Sequence, residues 1–269
     1  MMIDLGKICK DVEKASAETA EFILKEASGF DINRTERKGL NDFVSYVDKG
    51  SEKMLVEKLS AILPEAGFQT EEGTSSKSGE KYCWVIDPLD GTTNFLHGLK
   101  LYAISIGLLE DNEPVAGVIH VAGGNEVYTA WKDGGAWLNG NRIQVSDAKK
   151  LSDSLIATGL PYSDFGRLDA YMKLLAWLCM NTQGIRRMGS AAIDIAYVAC
   201  GRFEVFYEYG LHPWDIAAGI IILREAGGRI SDFSGGERNL TGEEIVAANG
   251  NVYPEILKIV SNFMNNKML

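Results

Sequence analysis

The chain is poor in residues that several kinds of active site need. Its 269 residues include three histidines and four cysteines. The histidines have neither H-E-x-x-H nor triad-like spacing, so no serine or cysteine nucleophile is placed with a base. No two cysteines form a C-x-x-C pair, and all four lie in apolar stretches. We expect reduced, buried thiols of a cytoplasmic protein at these positions: Cys9, Cys83, Cys179 and Cys200.

Basic residues and long apolar runs are also scarce. Lysine and arginine number 27 against 37 acids, which gives a net charge of −10. This balance argues against binding nucleic acid or an anionic membrane surface. A phosphate substrate stays compatible with it if the site holds divalent cations, because a bound metal inverts the local charge. No stretch approaches the roughly 18 apolar residues of a membrane span, and residues 1–20 do not resemble a signal peptide.

Hydrophobic periodicity divides the chain at about residue 150, with no repeat or low-complexity linker between the halves. Residues 1–150 predict an α+β half, in which two helices cover an antiparallel meander. Residues 151–269 predict an α/β half, in which strands alternate with helices that cover both faces of a sheet. The two halves are expected to pack as one unit. The polar segments 28–42 and 71–80 are predicted to be loops.

The pattern places individual elements as follows. Helices are predicted at about Asp4–Ala27, Val44–Leu63, Tyr171–Cys179, Ala191–Ala199, Ile216–Ala226 and Pro254–Asn262. Strands are predicted at Cys83–Ile86, Tyr102–Leu109, Val115–Val121, Val127–Trp131, Ala136–Leu138, Leu155–Thr158, Ile185–Met188, Phe203–Tyr207 and Ile245–Ala248.

Carboxylates are concentrated where the first of these strands ends. Residues 84–95 read W-V-I-D-P-L-D-G-T-T-N-F, so Asp87 and Asp90 directly follow an apolar run. Pro88 cannot donate a ladder hydrogen bond, and regular strand pairing is therefore expected to end there. The same residues are common in a plain surface turn, which is the alternative interpretation.

The residues after the two aspartates suit phosphate chemistry. Gly91 permits a turn that is closed to other residues, and Thr92 or Thr93 could cap a helix that follows. Carboxylate oxygens are the ligands that Mg²⁺ prefers, and free amides at a helix start bind phosphate oxygens. The segment therefore predicts a magnesium and phosphate site.

Further candidate residues lie elsewhere in the chain. Glu71 and Glu72 occur in the polar loop before the strand, although paired glutamates are also common on solvated faces. Asp215 opens an apolar helix, where it could be a simple cap or a partly desolvated metal ligand. Ser190 also precedes an apolar helix, whose free amides could bind an anionic or hydroxylated group.

Four motifs in order resemble the inositol monophosphatase family. D-P-[LI]-D-G-T-[TS]-x-[FY] lies at 87–95, W-D-x-A-[AG] at 214–218, G-[ST]-A-A at 189–192 and D-F-V-[ST]-x-x-D at 42–48. The resemblance covers nearly the whole chain. It implies a five-layer αβαβα sandwich of the inositol monophosphatase and fructose bisphosphatase type, a homodimer, activation by Mg²⁺ and inhibition by lithium. Thr70 stands where the family often has glycine, which implies a modest change in loop shape.

The resemblance also implies roles for individual residues, with two to three Mg²⁺ per site. Metal ligands would be Glu71, Asp87, Asp90, Asp215 and the carbonyl of Leu89. The attacking water would be oriented and deprotonated by Thr92 and Asp48, with Glu71 also in the catalytic set. The phosphate would be held by Gly91, Thr92 and Thr93. The alcohol would be contacted by Gly189, Ser190, Ala191, Glu208 and Asp90.

The predicted reaction is direct attack of an activated water on a small phosphate monoester, with inositol monophosphate as the favoured substrate. Fructose 1,6-bisphosphate, histidinol phosphate and adenosine 3′,5′-bisphosphate are alternatives within the class. Nucleotidases of this kind tend to have K-E-F where this chain has T-N-F at 93–95, which favours the inositol ester. A regulatory binding protein without activity is a further alternative. The four clustered acids argue against it, because they repel one another without metal.

Overall fold

A computed structural model describes residues 3–29, 35–39, 42–161, 164–236 and 241–265. The helices are Leu5–Ala27 (α1), Tyr46–Ile62 (α2), Thr92–Leu96 (α3), Leu168–Asn181 (α4), Ala191–Ala199 (α5), Pro213–Glu225 (α6) and Tyr253–Met264 (α7). The strands are Thr35–Gly39 (β1), Asp42–Ser45 (β2), Gly67–Thr70 (β3), Tyr82–Asp90 (β4), Ala103–Glu110 (β5), Glu113–Val121 (β6), Glu126–Trp131 (β7), Gly135–Leu138 (β8), Asn141–Ile143 (β9), Leu155–Thr158 (β10), Gly184–Arg186 (β11), Val205–Tyr209 (β12), Gly228–Ser231 (β13) and Glu244–Asn249 (β14).

The N-terminal half forms a seven-stranded sheet in the order β3-β4-β5-β6-β7-β8-β9. All neighbours are antiparallel except β3 and β4, so the predicted meander is confirmed from β4 to β8, and β9 extends it by one strand. The apolar faces of α1 and α2 pack on this sheet. Their core includes Leu55, Trp84 and Ile106, each at most 1% exposed.

The C-terminal half forms a five-stranded sheet in the order β11-β10-β12-β14-β13. Strands β10, β11 and β12 are parallel, whereas β14 runs antiparallel to both β12 and β13. Helices α4 and α7 pack together on one side of this sheet, and α5 and α6 lie on the other. The predicted helices on both faces are therefore confirmed.

Helices α5 and α6 form the middle layer and contact both sheets. The approach of α6 to the larger sheet is close. A Cβ added at Gly107 would lie 2.8 Å from the Cβ of Ala217, and one at Gly117 would lie 2.7 Å from the carbonyl oxygen of Ala218. Because the strands carry glycine at these points and the helix carries only the methyl groups of alanine, the helix packs closely against the strands. The layers follow the order α-β-α-β-α, as expected from the family resemblance.

Short elements are where the sequence predictions were wrong or incomplete. The predicted loop at 28–42 contains β1 and the first residue, Asp42, of its antiparallel partner β2; its residues 30–34, 40 and 41 lie outside the described part. Edge strands β3, β9 and β13 were not predicted, because three or four residues are too few to show a period.

The cysteines also differ from expectation. All four are free, and Cys9 is buried as predicted. Cys83 and Cys200 are half-buried, and Cys179 is exposed, so burial was wrongly predicted for it. Cys179 lies on the outer side of α4 with Met180, which is 77% exposed, whereas Leu178 before it is fully buried.

Candidate active site

One cavity of about 440 Å³ lies where the end of β4 meets the starts of α5 and α6. Twelve of the thirteen site residues predicted from the sequence line it: Glu71, Asp87, Leu89, Asp90, Gly91, Thr92, Thr93, Gly189, Ser190, Ala191, Glu208 and Asp215. Asp48, the thirteenth, is buried behind Thr92 and contacts its hydroxyl. No helix in the described residues is both long and apolar enough to cross a bilayer.

A bulge at the end of β4 brings Asp87 and Asp90 together. Asp87 pairs with Ser105 and Asp90 pairs with Ala103, with the intervening pairs interrupted at Pro88. Regular pairing ends at Pro88 as predicted, but it resumes at Asp90, which the sequence did not indicate. In a regular strand, residues three apart point to opposite faces, and the bulge removes that alternation. The backbone N–H of Leu89 donates to Asp87 Oδ1 at 2.9 Å and fixes the first carboxylate.

Gly91 makes the turn that follows. Its φ is +93°, a left-handed conformation, and an added Cβ would lie 2.9 Å from the Leu101 carbonyl oxygen. Gly91 is the N-cap of α3, so the prediction that Thr92 or Thr93 caps this helix was wrong. Thr92 is instead the first helical residue, and its hydroxyl lies 2.9 Å from Asp48 Oδ1 and 3.1 Å from the Leu89 carbonyl oxygen.

Asp48 is held from the other side by the start of α2. The backbone N–H and hydroxyl of Ser45 donate to Asp48 Oδ2 at 2.8 and 2.6 Å. Asp48 Oδ1 therefore faces Thr92. Burial raises the pKa of Asp48, and the hydrogen bonds from Ser45 and Thr92 oppose this shift.

Asp90 lies against the first turn of α5. The Ser190 hydroxyl and the Ala192 backbone N–H each donate to Asp90 Oδ2 at 2.7 Å. Ser190 also caps the helix, as predicted, by accepting the N–H of Ile193 at 3.3 Å. The anion that the sequence analysis expected at this helix start is thus provided, at the Ala192 amide, by the protein's own Asp90.

Asp215 lies in the first turn of α6, because this helix begins at Pro213 rather than at the predicted Ile216. Its Oδ2 accepts the backbone N–H of His212 at 2.7 Å, so it acts as a cap. The capping role does not exclude the second one. Asp87, Asp90 and Asp215 each offer an oxygen within 4.8 Å of the others, which makes one three-carboxylate cluster.

The electrostatics of the cluster favour a cation. Desolvation raises the pKa of Asp87 well above its ordinary value, and the charges of Glu71, Asp90 and Asp215 raise it further. Desolvation likewise raises the pKa of Asp215 and brings that of Asp90 to about 6. Several converging carboxylate oxygens are the donor set that Mg²⁺ prefers, and a divalent ion would relieve their repulsion. The residues present therefore fit the metal.

Glu71 lines the same cavity but lies outside the group of ligand atoms within 4.8 Å of one another. Its loop is held by Glu52, a fully buried residue of α2. The carboxylate of Glu52 accepts the backbone N–H groups of Glu72 and Thr74 at 2.7 and 2.8 Å. Glu52 was not predicted from the sequence. Its signal was an acid on the buried stripe of an amphipathic helix, between Asp48 and Leu55.

The opposite wall of the cavity carries two more buried acids. Glu208, on β12, has its pKa raised to about 8 by burial. Gly159 leaves room for it: an added Cβ would lie 1.7 Å from Glu208 Oε1. Asp194, on α5, was missed by the sequence analysis, although it is the only charged residue in A-A-I-D-I-A-Y-V-A. Arg187 also lines this part of the cavity.

Known proteins share this fold and sequence. The chain matches the inositol monophosphatase family over residues 6–265. It is 43% identical over 249 residues to a putative Nus factor SuhB from Neisseria meningitidis, covering 92% of this chain and 95% of the relative. It is 42% identical over 224 residues to an inositol-1-monophosphatase from Mesorhizobium japonicum, covering 83% and 84%. The crystal structure of extragenic suppressor protein SuhB from Bartonella henselae superposes with a TM-score of 0.88 at 35% identity, covering 93% and 97%.

Proposed function

Since this chain belongs to the inositol monophosphatase family, we propose that it hydrolyses a small phosphate monoester with Mg²⁺, and that its substrate is an inositol monophosphate. The convergence of Asp87, Asp90 and Asp215 in one cavity carries this proposal. The name of the Mesorhizobium relative, inositol-1-monophosphatase, supports the choice of alcohol.

In this proposal two ions share the cluster. Glu71, Asp87 and the Leu89 carbonyl would hold the first, and Asp87, Asp90 and Asp215 the second; Glu71 would contact a third, weaker ion through water. When bound, Mg²⁺ neutralises the phosphate charge and acidifies water. The backbone N–H donors of Leu89, Ala192 and His212 fix the aspartates without adding positive charge, so their charge stays available.

Thr92 and Asp48 would act on the attacking water. Thr92 lines the cavity, so when its hydroxyl donates to Asp48 Oδ1 its oxygen can still accept a hydrogen bond from that water. The proton then passes from water to Thr92, and the hydroxyl proton passes to Asp48. Burial has raised the pKa of Asp48, which suits it to receive a proton. Attack is direct, and no covalent enzyme intermediate forms.

The substrate would lie across the cavity. Backbone and hydroxyl groups of Gly91, Thr92 and Thr93 would hold the phosphate beside the cluster. The alcohol would extend toward the opposite wall, where Gly189, Ser190, Ala191 and Glu208 would contact it, with Asp90 reaching a hydroxyl next to the ester. Positioning and charge neutralisation are the main requirements of phosphoryl transfer.

The direct test is phosphate release with millimolar Mg²⁺, with and without lithium. The panel is inositol 1-phosphate, fructose 1,6-bisphosphate, histidinol phosphate and adenosine 3′,5′-bisphosphate. We expect inositol 1-phosphate to have the highest kcat/KM and to be lithium-sensitive. If another ester is preferred, the proposed alcohol is wrong, but the proposal of a Mg²⁺-dependent phosphatase stands. Absence of Mg²⁺-dependent turnover on every ester would overturn the proposal.

A second candidate function follows from the Neisseria relative, which is named a putative Nus factor. This chain could serve as a regulatory binding protein of that kind, with or without turnover. The test is affinity capture with the wild type and with Asp90→Asn. The regulatory function is favoured over hydrolysis if two results are obtained together. Both forms capture the same protein partner, and the wild type shows no Mg²⁺-dependent turnover.

The family resemblance also supports a homodimer in the cytoplasm. Light scattering coupled to size exclusion would test the assembly. A mass near twice 29.4 kDa is expected, and a mass near 29.4 kDa at micromolar concentration would reject the dimer.

A further inference from the structure

Asp194 is an unsatisfied acid at the wall of the cavity. It lies on α5, is 1% exposed, and its Oδ1 has no hydrogen-bond partner among the described residues. Burying an unpaired carboxyl costs folding free energy, and folded proteins satisfy most such groups. Because Asp194 lines the cavity, a bound molecule can supply the missing partner.

The start of α5 does not explain this residue. Asp194 lies in the first turn, where an acid can cap a helix. However, the N–H of Ala192 already donates to Asp90 Oδ2, and the N–H of Ile193 faces the Ser190 hydroxyl. The amides that an acid in the first turn would satisfy therefore have partners, and Asp194 accepts from neither.

The surroundings of Asp194 place it at the alcohol end of the cavity. Burial raises the pKa of Asp194, the charges of Glu208 and Asp90 raise it further, and the charge of Arg187 lowers it. All three residues line the same cavity. Gly159 keeps the space in front of Glu208 open, since any side chain there would collide with the carboxyl. Two carboxyls thus border the part of the site away from Asp87 and Glu71.

We propose that Asp194 is a second alcohol-binding carboxyl beside Glu208, which hydrogen bonds a hydroxyl of the substrate and makes the site selective for polyhydroxylated alcohols. This inference rests on the proposed function, because it assigns a residue to the alcohol of that same ester. An alcohol without a hydroxyl at this position leaves the Asp194 carboxyl buried and unpaired, which costs binding free energy. The site therefore binds such an alcohol more weakly than a polyhydroxylated one.

The test compares an ester with ring hydroxyls and one without. Inositol 1-phosphate and 4-nitrophenyl phosphate are assayed with wild type, Asp194→Ala and Asp194→Asn, together with the melting temperature of each protein. Asp169→Asn is the matched control, because Asp169 is an exposed acid in the first turn of α4, away from the cavity. Inhibition of aryl phosphate hydrolysis by free inositol measures binding of the alcohol alone.

We expect Asp194→Ala to raise KM for inositol 1-phosphate and the inhibition constant of inositol by about tenfold or more, the loss of a hydrogen bond to a charged group. The kcat/KM for the aryl ester should stay within about twofold of wild type. Asp194→Asn should retain part of the preference and melt no lower than wild type, because it removes a buried charge and keeps a donor and an acceptor.

Three outcomes would overturn the inference in distinguishable ways. If wild type prefers inositol 1-phosphate and Asp194→Ala keeps that preference, the proposed function stands and Asp194 does not read the alcohol. Equal losses on both esters would make Asp194 a support of the metal cluster. If wild type hydrolyses both esters equally, the proposed substrate class fails, and the role of Asp194 fails with it.

Discussion

The acids that line the cavity and the acids that pair with bases outside it are affected by the fold in opposite directions. For five acids in the cavity burial is the largest cause, and it raises the pKa of Asp87, Asp90, Asp194, Glu208 and Asp215. Outside the cavity, hydrogen bonds from Lys81 and Arg202 lower the pKa of Glu110 and Glu126. An ionised carboxylate thus destabilises the folded protein in the cavity and stabilises it in the ion pairs outside the cavity.

The partners explain the difference. Arg202 meets Glu126 with two hydrogen bonds of 2.8 and 2.6 Å, so the charge is matched within the protein. In the cavity, backbone N–H groups anchor Asp87, Asp90 and Asp215 without neutralising them. These carboxylates are held in fixed positions and their negative charge is not neutralised by the protein, so they are suited to bind a cation.

The largest expected effect is that of Asp90→Asn. Turnover should fall by about 10³-fold or more, since a metal ligand contributes several kcal/mol of transition-state stabilisation. The metal-free variant should melt no lower than wild type, because a repelling charge has been removed from the cluster. Steady-state kinetics and thermal unfolding in chelator measure both. Near-normal turnover would reject the ligand assignment, and Asp169→Asn serves as the unaffected control.

Mg²⁺ binding, measured as thermal stabilisation without substrate, should depend on the acids in the cavity and not on those paired with bases outside it. At a concentration of 100 times Kd, Mg²⁺ should stabilise the wild type by about 2.7 kcal/mol, or raise its melting temperature by roughly 5 °C. Asp90→Asn should show a smaller rise, and Glu126→Gln should show the wild-type rise. An equal rise with matched sodium would instead indicate general salt screening.

Glu208→Gln should remove a loss of stability at rising pH. The pKa of Glu208 is raised from 4.5 to about 8 in the folded protein. Above pH 4.5 the unfolded chain releases this proton first, so stability declines as pH rises and the loss is complete above about 8. Denaturant unfolding between pH 5 and pH 9, done in chelator, should give a flatter profile for the variant. Parallel profiles would contradict the assignment.

Glu126→Gln should have a smaller effect with the opposite sign. Its folded pKa lies below the ordinary value of 4.5, so the ion pair stabilises above that pH and is lost as pH falls through the folded pKa. The variant should lose about 1 kcal/mol or less at pH 7, because Arg202 is 41% exposed. It should also unfold less steeply on acidification. A larger loss at pH 4 than at pH 7 would contradict this interpretation.

The part of the site that the residues themselves indicated most directly lies in one short segment, whereas the roles of residues far from it, such as Glu71, Glu208 and Asp215, were predicted from the family resemblance. Asp87, Asp90 and Gly91 lie within five residues of one another, so the end of one strand and the turn after it determine their relative positions. Asp194 and Glu52 were missed because their importance comes from partners far along the chain. Asp194 lies near Glu208, and Glu52 holds the backbone of 72–74, and neither relation leaves a local pattern.

The sequence by itself determined the order of the longer helices and strands, the two kinds of sheet and the family, because hydrophobic periodicity and contiguous motifs are local properties. The family resemblance implied that Asp215 joins Asp87 and Asp90, but it is the tertiary structure that brings α6 to the end of β4 and that leaves Asp194 Oδ1 without a hydrogen-bond partner among the described residues. Those facts depend on how the middle helical layer packs between the sheets. That packing is set by contacts between residues more than 100 positions apart, such as Ala192 with Asp90.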